Sequence, residues 1–126
     1  MKKTLLLSLI AIIFLVGCKK EKEISLKGKW NLDTIITKEY QNGALINTNT
    51  EQGDGYKYDF QDNGNLLITA FLVGTSFPYT IMADSKVKID NDVYEIRNLT
   101  ASGATLFIHQ DFGSSDYEEL FLNLKR

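Results

Sequence analysis

The sequence predicts an all-β fold, an eight-stranded antiparallel up-and-down barrel, and three observations carry that expectation. Beyond residue 28, apolar residues recur at every second position, the period of strands with one buried face, whereas helical spacing is hard to find. The runs are separated by short links rich in Gly, Asn, Asp and Ser, and links this short force sequential strands to pair antiparallel. A meander of short hairpins buries its apolar face most directly by curling closed, since a sandwich usually brings longer Greek-key crossings.

The strands follow in order. Trp30, Leu32, Thr34 and Ile36 alternate with Asn31, Asp33 and Thr37 and are expected on one face. Tyr56, Tyr58 and Phe60 alternate with Lys57, Asp59 and Gln61. Residues 65–73 read as a third strand, apolar on both faces. Phe77, Tyr79 and Ile81 form the fourth, with Pro78 near its start, where a missing donor is tolerable. Val87 and Ile89, Tyr94 and Ile96, Leu106 and Ile108, and Leu120, Leu122 and Leu124 supply the remaining four. Asp62-Asn63-Gly64, Ala83-Asp84-Ser85, Asp90-Asn91-Asp92 and Ala101-Ser102-Gly103 are the turns. Two connections are longer, residues 41–55 and 111–116.

Before these strands the chain carries an address. Lys2 and Lys3 precede an apolar run at residues 5–16, interrupted only by Ser8. That is too short to span a bilayer, which takes about 20 residues, but it suits a secretory signal. Leu15-Val16-Gly17-Cys18 resembles the lipobox of bacterial lipoproteins, which implies cleavage before Cys18 and a diacylglyceryl thiol, with palmitate-like chains anchoring the protein to a membrane. The domain reading is therefore a signal peptide at 1–17, a lipidated Cys18 and polar tether at 18–25, and the barrel at 26–126. The expected location is the cell envelope, at the outer membrane. Export argues against ATP or nicotinamide chemistry, and the sequence has no Gly-rich phosphate loop.

Gly28-Lys29-Trp30 at the head of the first strand resembles the Gly-x-Trp signature of lipocalins. Together with the long first connection, the Tyr-x-Tyr-x-Phe strand, the Tyr79-Thr80-Ile81 strand and the basic Lys125-Arg126, it makes residues 26–126 similar to the lipocalin-like lipoproteins of Bacteroidetes. The resemblance implies that Trp30 plugs one end of the barrel beneath a basic side chain, Arg126 or Lys125. It also implies that the first connection lies over the opposite mouth, with Leu45 and Ile46 as a lid.

Composition narrows the chemistry. The 14 basic and 16 acidic residues leave a net charge of −2, so nothing draws the chain to nucleic acid. One cysteine allows no internal disulfide. His109 is the only histidine and falls opposite Leu106 and Ile108, facing outward; with no nucleophile elbow nearby, the expectation is a non-enzyme. Neither a metal site nor a cofactor is expected, because the acidic turns lack calcium-loop spacing. The candidate pocket is the inward set Leu32, Tyr58, Phe60, Ile68, Phe77, Tyr79, Tyr94, Ile96, Leu106, Ile108 and Leu122. Tyrosines there would give an apolar wall with polar handles, suited to a small apolar or amphipathic ligand. The competing expectation is a solid barrel that docks an envelope protein. An empty volume of about 300 Å³ among Phe60, Tyr79 and Tyr94 separates the two.

Overall fold

The computed structural model describes residues 24–126; the signal segment, Cys18 and residues 19–23 lie outside them. The described residues form nine strands: β1 (Gly28–Gln41), β2 (Ala44–Gln52), β3 (Lys57–Phe60), β4 (Asn65–Ala70), β5 (Val73–Met82), β6 (Lys86–Ile89), β7 (Asp92–Arg97), β8 (Gly103–Asp111) and β9 (Tyr117–Lys125). Each pairs antiparallel with its neighbour, and β1 also pairs with β9, from Asn31 opposite Lys125 to Tyr40 opposite Tyr117. That seam closes the sheet. β3 holds the lower part of one β1 edge and β2 the upper part, so the pair acts as one interrupted wall strand and the barrel has eight walls.

Four expectations change. Residues 41–55 are not a loop: Asn42 and Gly43, both with positive φ, make a two-residue hairpin turn, and β2 runs back along β1. Every residue of β2 is exposed, so its sequence shows no alternation of buried and solvated positions. Residues 65–73 are not one strand either, because Phe71 and Leu72 turn the chain and Val73 begins β5. Tyr56 stands outside β3 and is exposed.

The fourth change is a β-bulge. Leu32 faces Leu124 across the seam but Thr34 faces Asn123, so Asp33 is an extra residue. Because side chains alternate with period two, one extra residue exchanges the faces. Ile35, not Thr34 or Ile36, therefore packs on the core. Thr34 turns outward, where Asn123 donates to its Oγ1 at 2.9 Å and accepts from Thr105 at 2.7 Å. The chain between β2 and β3 is tied down at the same place. Gly53 donates to the Asp33 carbonyl (2.8 Å), and Leu32 donates to that of Tyr56 (2.9 Å). A Cβ on Gly53 would lie 1.8 Å from the Leu32 carbonyl oxygen, so only glycine fits.

The core lies inside the ring. Trp30, Phe60, Leu66, Val87 and Leu106 are almost wholly buried, joined by Leu26, Leu32, Tyr58, Tyr79, Ala104, Leu122 and Leu124. Each large apolar side chain so buried contributes about 1.5–3 kcal/mol, and these residues come from most of the walls, so the interior is what holds the ring shut.

Candidate functional site

One end of the barrel is plugged. The Trp30 indole donates to the Leu26 carbonyl at 2.7 Å, so the segment before β1 folds across the opening. The Arg126 guanidinium lies 3.7 Å from the Trp30 ring centroid and also donates to the carbonyls of Ser25, Lys27 and Lys29. Of the two basic residues expected there, Arg126 makes the contact. Lys125 turns outward and pairs with Asp33.

The candidate pocket residues all come from strands whose register points them inward, but the structure divides them by environment. Phe60 and Tyr79 meet edge to face, with centroids 5.2 Å apart, and the Tyr79 hydroxyl donates to the Gln61 carbonyl at 2.6 Å. With Leu66 and Leu106 at zero exposure, that part of the interior is occupied by the protein's own side chains. Phe77 pairs with Leu66 and is half-buried. Toward the open rim, Ile35, Ile68, Tyr94 and Leu120 pack on the core yet stay only partly buried, and Ile96 does the same beside the plugged end. Leu32, Tyr58 and Leu122 are buried, and so is Ile108, which faces Leu120 across the β8–β9 pair. Burial pushes the Tyr58 hydroxyl up to about 12 and raises that of Tyr94 as well, so both are protonated near neutrality.

Leu45 and Ile46 lie at the hairpin end of β2 and are exposed. Leu45 pairs with Tyr40 and so shares its outer face; Ile46 is the extra residue of a second irregularity. Neither belongs to the core cluster.

Spaces large enough for a small molecule open elsewhere. A groove of about 400 Å³ runs over the outer wall of β1, β3 and β4, beside Lys29, Asn31, Lys57, Asp59, Leu67 and Thr69. A cleft of about 450 Å³ opens at the plugged end beside Ile24, Leu26, Ile81, Ile96 and Leu99.

The outer wall of β1, β9 and β8 carries a band that the sequence reading missed. Tyr40 stacks on Tyr117 with centroids 4.3 Å apart, and the His109 ring lies 4.6 Å from that of Tyr117. Two same-face pairs on from Tyr117, Phe121 meets Phe107 at 5.0 Å. Cations cover both phenylalanines, Lys38 at 5.3 Å over Phe121 and Arg97 at 3.7 Å over Phe107. Arg97 also holds Glu95 at 3.1 Å, and that hydrogen bond keeps the Glu95 carboxyl below its ordinary value. The signal lies in Leu106-Phe107-Ile108-His109 and Leu120-Phe121-Leu122, strands apolar on both faces, where the inner face alone satisfies the period of two. His109 faces outward as expected, with its Nε2 2.9 Å from the Asp111 carboxylate. Among the described residues, no three His, Cys, Asp or Glu side chains cluster to hold a metal ion.

The chain matches no protein-family model, and no curated protein matches it.

Proposed function

We propose that this protein is a lipid-anchored envelope lipoprotein of the lipocalin-like kind whose barrel works as a non-catalytic docking module for an envelope protein. The single observation behind the docking reading is the pairing of a filled interior with an aromatic outer wall. Phe60 and Tyr79 occupy the space where a deep ligand would sit, while Tyr40, Tyr117, Phe107 and Phe121 stand on the solvent side. Aromatic residues with flanking arginine are the composition of protein interfaces, because they bury large area at little cost in side-chain entropy. The anchor reading rests on Leu15-Val16-Gly17-Cys18 and on the polar residues 19–23. The lipocalin-like reading rests on Gly28-Lys29-Trp30 and is supported by the Arg126 contact on Trp30.

A second reading, a small apolar or amphipathic ligand held inside, is favoured by the partly buried Ile35, Ile68, Tyr94 and Leu120 near the rim. An eight-stranded barrel has room for one small ligand at most, so the molecule would sit above Tyr58 and not reach Phe60.

Native mass spectrometry of the gently extracted protein tests both. The docking reading expects a bound macromolecule that is lost in Phe121→Gln, whose side chain keeps the strand but not the ring. A stoichiometric small molecule retained in that variant, and expelled by Ile68→Trp, would replace docking with the second reading.

A further inference from the structure

Three hairpins are closed by turns of two residues, and two of these use residues suited to the geometry: Asn42-Gly43 and Asp90-Asn91. The third, between β4 and β5, is Phe71-Leu72. Phe71 has φ +56° and Leu72 does not have positive φ, which is the pattern of a turn whose first position normally takes glycine. A phenylalanine there is strained, and nothing in the fold uses its ring: Phe71 is 86% exposed, Leu72 100% and Val73 72%. The hairpin itself is uncharged: residues 63–83, both of its strands with their flanks, contain no Asp, Glu, Lys or Arg.

We propose that this tip is a membrane-contact element, with Phe71 and Leu72 entering the interfacial region of a lipid bilayer. The shape favours lipid over a protein partner. A bilayer accepts a convex apolar tip without a matching concavity, and neither a protein pocket nor a groove is needed to receive two side chains that project this far. The charge pattern agrees. Residues 63–83 bring no carboxylate to the tip, while Lys57, paired with Thr69, sits two residues behind Phe71 on the neighbouring strand. Two residues of strand span about 7 Å. That places an ammonium at headgroup level when the tip is buried about 5–10 Å, the depth typical of interfacial elements. Tyr56, exposed beside Lys57, is a residue type that prefers the same layer. In the ring of walls β5 lies across from β9, so the tip and the aromatic band of β1, β8 and β9 stand on opposite sides of the barrel. The proposal rests neither on lipidation of Cys18 nor on the docking reading.

The test uses the full chain reconstituted into phosphatidylethanolamine–phosphatidylglycerol vesicles, with tryptophan placed by Leu72→Trp, or by Asn42→Trp at another hairpin tip as control. Trp30 is buried at the plugged end and gives a constant background. Leu72→Trp is expected to shift its emission to the blue and to lose more than half of it when the acyl chains carry bromine, while Asn42→Trp keeps the emission of a water-exposed indole. Equal quenching of the two would overturn the proposal, as would a blue shift without quenching, which would mean contact with protein, a second copy included. The double variant Phe71→Gly with Leu72→Asn should raise the urea midpoint, because glycine relieves the turn. A lowered midpoint would show that these side chains hold the fold together, and would likewise overturn it.

Discussion

Arg126 clamps Trp30 from outside: its guanidinium covers the ring at 3.7 Å while its nitrogens bind carbonyls of the segment that Trp30 itself holds through Leu26. One side chain thus ties the end of β9 to the entry of β1 and seals the interior beneath both. The seal depends on geometry as well as charge, because a planar fork can stack on the indole and reach several carbonyls together, and an ammonium cannot.

Replacing Arg126 by Ala should therefore lower stability by about 1–2 kcal/mol, from the lost cation–π contact and hydrogen bonds. Arg126→Lys should recover less than half of that. Urea unfolding followed by Trp30 fluorescence measures both, and the Ala variant should also shift the native emission to the red as the plug is exposed.

Gly53 should tolerate no side chain. An alanine Cβ would sit 1.8 Å from the Leu32 carbonyl oxygen, and the backbone of β1 cannot retreat without opening the bulge. Gly53→Ala is expected to cost about 3 kcal/mol or more. Gly43→Ala is the control: its Cβ meets nothing within 4 Å, and only its positive φ is penalised, at about 1–2 kcal/mol. Thermal or urea denaturation of the two variants gives the comparison.

The bulge at Asp33 makes a prediction that contradicts simple alternation. Ile35→Ala should cost about 2 kcal/mol, because Ile35 packs on the core, and Ile36→Ala less than about 1 kcal/mol. The reverse order would mean that β1 keeps an unbroken two-residue period through Asp33.

What could be read in advance, and what could not, follows from the same physics. The period of two in Tyr58-Phe60, Val87-Ile89 and Leu122-Leu124 is imposed by a buried inner face, so it is visible in the chain. The turns at Asp62-Asn63-Gly64 and Asp84-Ser85 are visible because positive φ selects their residues. β2 was hidden because neither of its faces is buried and its partner is only the upper half of β1. The bulge was hidden because Asp33 has no composition that marks it. Phe71-Leu72 looks like strand interior in the sequence because it breaks the turn rule. Of the site, the inward tyrosines and the Trp30 plug were legible, but the outer aromatic band was masked by the apolar residues alternating with it in β8 and β9.

Alkaline pH should unfold the protein through its buried tyrosines. Burial raises Tyr58 from the ordinary 10.0 to about 12, so the folded state keeps a proton that the unfolded chain loses. The associated stability is fully present below pH 10 and is lost as pH rises through about 12, amounting to about 2–3 kcal/mol. Tyr79 and Tyr94, raised mainly by burial, act in the same direction. In Tyr58→Phe the decline of the urea midpoint over that window should be shallower, with tyrosinate absorbance reporting the remaining groups.

Photo-crosslinking in intact envelopes is the most direct test of whether the barrel works from its outer wall. Benzoylphenylalanine replaces Phe121, on the aromatic band, or Tyr94, inside the ring. Docking requires a covalent adduct of protein mass from position 121 and no intermolecular adduct from position 94. An adduct of small-molecule mass from position 94, with none from position 121, would contradict it and place binding inside the barrel.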